Sequence, residues 1–126
     1  MAAFMKPYAP QAYAVMRIVF GLLFMSHGLQ KIFGLFGGAP AEAPAFVIYV
    51  GGGIELVTGA LIAIGLFTRW AAFLAAGEMA AAYWMAHGTK AFHPIMNGGE
   101  MALLYCFAFL FIAAHGAGTW SADGEP

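Results

Sequence analysis

The sequence predicts an all-α fold: an integral membrane, antiparallel four-helix bundle, built as one domain over residues 1–126. The first observation behind this is composition. The 126 residues are 63% hydrophobic and only 9% charged, whereas soluble domains carry about 25% charged residues. The second is segment length, because the apolar runs approach the roughly 20 residues that cross a bilayer at about 1.5 Å per residue. The third is the placement of ionisable side chains, several of which lie inside those runs. A soluble bundle would show polar outer faces at helical spacing, and these segments are apolar nearly all round. The net charge of −1 offers no basic field for nucleic acid. Cys106 is the only cysteine. That excludes an intrachain disulfide and a CxxC pair, and the residue reads as a buried, inert thiol.

The first span covers about residues 12–33. Pro7 and Pro10 are expected to hold the preceding segment out of helix. The span carries Arg17, His27, Gln30 and Lys31, and a central Arg or Lys facing lipid would cost about 2.5–3.5 kcal/mol. Those groups should therefore face other helices, and the run reads as a retained span rather than a cleaved leader. Gly37, Gly38, Pro40 and Pro44 mark the loop that follows. The second span covers about 46–66. Its Gly51, Glu55, Gly59 and Ala63 recur every four residues, so they share a stripe of small residues around one carboxylate. Thr68-Arg69 reads as a very short link. The third span covers about 70–86, with Glu78 near its centre, and a polar connection with Lys90 and His93 leads on. The fourth covers about 96–114. Asn97 can cap it with Glu100 answering in a capping box, or Glu100 can point inward opposite His27.

Four spans put both termini on one side. Lys6, Arg17 and Arg69 lie toward that side and Lys31 and Lys90 toward the other, which favours cytoplasmic termini. Counting about 1.5 Å per residue from each midpoint puts Glu55 and Glu78 near the midplane. His27 and Glu100 both fall about 7 Å toward the other side by the same rise. Lys31, Asn97, His87 and His93 lie higher, near the headgroups, and Arg17 lies below the midplane. His27, Glu55, Glu78 and Glu100 could thus converge. Two readings stay open for them: pairs that specify packing, or a proton-handling or ligand pocket, the default for intramembrane ionisable groups. A His with three Glu resembles a di-metal carboxylate set, but the Glu-x-x-His pair is absent. Haem ligation would need two of His27, His87 and His93, since His115 falls at the opposite face. No catalytic triad, Walker loop or dinucleotide fingerprint is present.

The order Arg17…Gly21…Phe24…His27-Gly28…Lys31, then Glu55 behind a Gly-rich stretch, resembles the DoxX family of small four-span bacterial membrane proteins. Gly65-Leu66-Phe67-Thr68-Arg69 before an Ala-rich helix, Asn97-Gly98-Gly99-Glu100 and the closing Gly116 to Asp123 fit as well. The resemblance implies a multi-pass protein of the bacterial inner membrane. Name-giving members look like subunits of a thiosulfate:quinone oxidoreductase, and others are redox-associated. The expected function is therefore a redox-associated, quinone-interacting subunit working with a partner subunit amid membrane lipid. His27 and Glu100 would meet a quinone head group, with Glu55 and Glu78 as a relay. Arg17 would balance charge, and Lys31 and Asn97 would complete the binding site. Quinone is the expected ligand, with haem or metal less supported. Association with a second copy is compatible with so small an interior. The alternatives are a structural or assembly subunit whose buried charges fix packing, and a small proton-coupled carrier.

Overall fold

Every element is helical in the computed structural model, which describes residues 3–124. A short 3-10 turn, Ala3–Tyr8, leads into α1, Ala9–Phe33. Pro10 does not keep the chain out of helix. It occupies the first turn of α1, where the N–H that proline lacks would have no partner anyway, so the helix starts at Ala9 rather than near residue 12. Gly34, at φ 70°, ends it.

The second apolar run divides. Val47–Gly51 forms a π turn, and α2 follows over Gly52–Ile64. A π turn holds more residues than an α turn, so positions before it are rotated relative to those after it. The predicted stripe is redistributed accordingly. Gly52, Glu55 and Gly59 are buried, while Gly51 is only partly buried and borders α3. The buried stripe packs on α1 at backbone contact. A Cβ on Gly21 would lie 2.5 Å from the Ala63 nitrogen, and one on Gly59 would lie 2.5 Å from the Met25 nitrogen. A Cβ on Gly28 would strike the Leu56 backbone. Only glycine lets the helices approach this closely, as is common where apolar helices associate without a hydrophobic drive.

The chain reverses at Gly65–Phe67, where Gly65 (φ 74°) and Phe67 (φ 50°) are both left-handed. Helix α3, Thr68–Ala86, therefore begins before the predicted Trp70, because the turn falls ahead of Thr68-Arg69 instead of on it. Its Ala71, Ala72, Ala75 and Ala76 are buried, and the helix packs on the last one. The fourth run also divides, into α4, Pro94–Asn97, and α5, Glu100–His115, with Gly98 (φ 77°) at the break. Phe24 and Tyr105 pack around Phe109 at ring-centroid distances of 4.8 and 5.5 Å. Among the described residues, two stretches are long and apolar enough to cross a membrane, the 31 residues of Ala3–Phe33 and the 18 of Val47–Ile64. Glu100–His115 is apolar but shorter, at 16 residues. Helices α1 and α2 pack closely, as do α3 and α5, whereas α2 and α3 meet loosely and leave a groove between them.

Candidate functional site

Lys31 sits in the last turn of α1 and Glu55 in the first turn of α2. The glycine contact brings these turns together, and the Lys31 ammonium donates to Glu55 Oε1 at 2.8 Å and Oε2 at 2.6 Å. The Glu55 side chain is 1% exposed and that of Lys31 18%. Lys31 thus folds its flexible stem inward, where the sequence placed it near the headgroups. A buried carboxylate without a cation would cost more than the stem's lost freedom. Glu78, on α3, brings its carboxyl within hydrogen-bonding reach of Glu55. The Oε2 atoms of Glu78 and Glu55 lie 3.5 and 4.0 Å from where a Cβ on Gly51 would sit. One cation therefore faces two carboxyl groups, an arrangement that is neutral when the carboxyls share one proton.

Two of the three, Lys31 and Glu78, line the groove. Its volume is about 630 Å³, and it runs between the π turn with α2 and helix α3, within the range that holds small ligands. Val50, Ile54, Phe73, Leu74 and Met85 supply apolar walls, and Lys31 and Glu78 supply its ionisable groups.

The other expected site residues lie elsewhere. His27 is partly buried and meets the Tyr105 ring edge-on at 5.9 Å. Glu100 is exposed on the first turn of α5. Among the described residues no hydrogen bond joins the two. The break at Gly98 starts α5 at Glu100 and leaves that carboxylate at the helix's positive end, a favourable place for it. The capping box does not form either, because Gly99 occupies the N-cap position without a side-chain bond. Asn97 instead accepts from the Gly99 N–H at 2.7 Å and donates to the Tyr83 hydroxyl at 2.9 Å and the Ala91 carbonyl at 3.1 Å. It pins the connection after α3 onto α3.

Arg17 is fully buried but does not balance the carboxylates. Its Nε donates to the Ile62 carbonyl at 3.0 Å, Nη1 to those of Ala117 and Thr119, and Nη2 to that of Trp120 at 2.8 Å. It therefore holds the segment after α5 against α1 and α2. Asp123, the last residue of the closing Gly116-to-Asp123 stretch, completes the clasp. Its carboxylate accepts from the Phe67 and Thr68 N–H groups at 3.0 Å each. These are orphan donors at the start of α3. The Thr68 N–H first, then that of Phe67 and the charge of Arg17, hold the Asp123 carboxyl below the usual carboxylate range. The sequence pattern ends on this acid but does not say that its partners are backbone N–H groups at the start of α3.

Together these features define an all-helical chain with glycine-packed apolar helices and an interior ion pair beside a lateral groove. The DoxX family model matches residues 12–88, and the chain belongs to the DoxX family. The match includes Lys31, Glu55 and Glu78. A Haemophilus influenzae relative named "Uncharacterized protein" is 39% identical over 96% of this chain and 95% of its own. A Mycobacterium tuberculosis relative, "Uncharacterized membrane protein Rv3486", is 27% identical over 90% of this chain and 80% of its own. A Bacillus subtilis relative, "Putative oxidoreductase CatD", is 30% identical over 82% of this chain and 78% of its own. No solved structure matches the chain.

Proposed function

We propose that this DoxX-family chain is a multi-pass protein of the bacterial cytoplasmic membrane, an antiparallel four-helix bundle with its termini in the cytoplasm. In this reading it takes a quinone-type amphiphile in the groove between α2 and α3 and acts beside a partner subunit that carries electrons. Membrane residence is supported by outward-facing Val19, Leu23, Val57, Phe73, Leu104 and Phe107, an apolar exterior that water would not tolerate. The relatives named as a membrane protein and as an oxidoreductase agree with it. The observation that carries the ligand reading is the groove itself, apolar along its walls with Lys31 and Glu78 within it. An apolar ring could enter from the hydrocarbon and leave its polar head beside Lys31, whose ammonium can donate to a carbonyl oxygen.

Gly77 provides the test. It lines the groove, and no atom lies within 4 Å of where its Cβ would sit, so Gly77→Phe adds bulk to the groove without disturbing the backbone. Binding of 2-methyl-1,4-naphthoquinone to the purified protein in nanodiscs, followed by tryptophan fluorescence, is expected to weaken by about tenfold or more, the cost of losing a buried ring contact. The melting temperature should hold. Undiminished binding would remove the groove as the ligand site.

A second reading, a structural subunit whose charges fix packing, is favoured at Arg17, whose hydrogen bonds among the described residues run to backbone carbonyls. It does not account for a carboxyl that borders an open groove.

A further inference from the structure

Among the described residues, the buried Oε1 of Glu78 has no hydrogen-bond partner. A buried polar atom in that condition is uncommon and calls for a physical explanation. Its sister oxygen faces Glu55, within reach of that carboxyl. Glu55 in turn takes two hydrogen bonds from Lys31. With one proton shared between the two carboxyls, Glu78 Oε1 is left as an unpaired acceptor on a side chain that lines the groove. Lys31, also in the groove lining, can donate to a carbonyl or a hydroxyl alike. Glu78 cannot treat the two alike. A hydroxyl satisfies its lone pair, whereas a carbonyl sets lone pair against lone pair.

We infer that Glu78 accepts a hydrogen bond from the ligand's hydroxyl, so that the groove favours the reduced, hydroxyl-bearing form of a quinone-type amphiphile over the oxidised form. This rests on the groove being the ligand site. Sites built to hydrogen-bond a substrate hydroxyl reject analogues that lack it, because the site's own polar atom is then left unpaired. Preference for the reduced form would also raise the potential of the bound couple, by simple linkage.

The experiment uses the full chain in nanodiscs under anaerobic conditions, again read by tryptophan fluorescence. Trp70 lines the groove and serves as the reporter. Three probes are compared: 2-methyl-1,4-naphthoquinone, its hydroquinone, and the dimethyl ether of that hydroquinone. The hydroquinone is expected to bind about tenfold tighter than the quinone, the worth of one hydrogen bond to a carboxyl group. The dimethyl ether, which has the same ring but no donor, should bind no better than the quinone. In Glu78→Leu the preference should vanish. Should that variant fail to fold, the three-probe comparison on the wild-type chain still decides. Equal affinities, or tighter binding of the quinone, would overturn the inference while leaving the groove reading intact. Failure of all three probes to bind would overturn the groove reading, and this inference with it.

Discussion

Two charged groups on α1 turn inward, Arg17 fully buried and Lys31 partly buried, and the fold uses them differently. Arg17 is surrounded by backbone, with its donors taken up by the carbonyls of Ile62, Ala117, Thr119 and Trp120. Lys31 meets charge, donating to Glu55 while Glu78 stands behind that carboxylate with one oxygen unpaired. The first arrangement fixes where a chain segment lies. The second leaves chemistry available at the wall of a groove. Burial alone does not separate a structural charge from a functional one; the partners do.

The sharpest test of that contrast sets Arg17→Met against Lys31→Met. Removing the guanidinium strips donors from four carbonyls that cannot neutralise themselves, at about 1–3 kcal/mol for each one left dry. The expected result is a collapse of folded yield, or a large drop in melting temperature in detergent. Lys31→Met removes one cation, but the carboxyls it leaves can take up a proton instead of remaining charged. That variant should purify folded, with a smaller loss. If both substitutions cost the same, the distinction between the two ends fails.

A smaller effect is expected at the clasp. Asp123 is exposed, yet its carboxyl is held below the usual range by the Thr68 and Phe67 N–H groups. A carboxyl with a depressed folded value contributes stability that is complete above the ordinary Asp value of about 4 and is lost as pH falls through the folded value. Melting temperature should therefore fall on acidification below about pH 4. In Asp123→Asn, which cannot titrate, the fall should be shallower, and the variant should already melt lower at neutral pH. Identical pH profiles would remove Asp123 from the clasp.

The helical class and the rough positions of the apolar segments were legible in the sequence because hydrophobic run length is a strong, local signal. The adjacency of Glu55 and Glu78 was also legible, since a rise per residue suffices to place two groups at one depth. Rotation about a helix axis was not. The π turn at Val47–Gly51 removed Gly51 from its predicted stripe, and the break at Gly98 turned Glu100 outward. The π turn has no local sequence signature, and Asn97-Gly98-Gly99 marks a break without saying how far the next helix is rotated. The fate of Arg17 was hidden for another reason. Its partners are backbone carbonyls, which every residue possesses, so scanning for an opposite charge looks in the wrong place. The reach of Lys31 was missed because depth was counted at the backbone, while a lysine stem carries its charge several ångströms away.

The smallest expected effect is the one that bears most on where the site ends. Neither His27 nor Glu100 lines the groove, so His27→Ala and Glu100→Gln should each leave naphthoquinone affinity within about twofold, the coupling usual between sites that share no partners. Glu100→Gln is the cleaner of the two, because its side chain is exposed and the first turn of α5 keeps its backbone bonds. His27→Ala also removes a contact with Tyr105, which packs on Phe24 and Phe109, so some loss of melting temperature is expected without loss of binding. A large fall in affinity for His27→Ala at unchanged melting temperature would mean that the site extends through Tyr105 to the far side of α1. The contrast between a closed end and an open one would then have to be redrawn around that histidine.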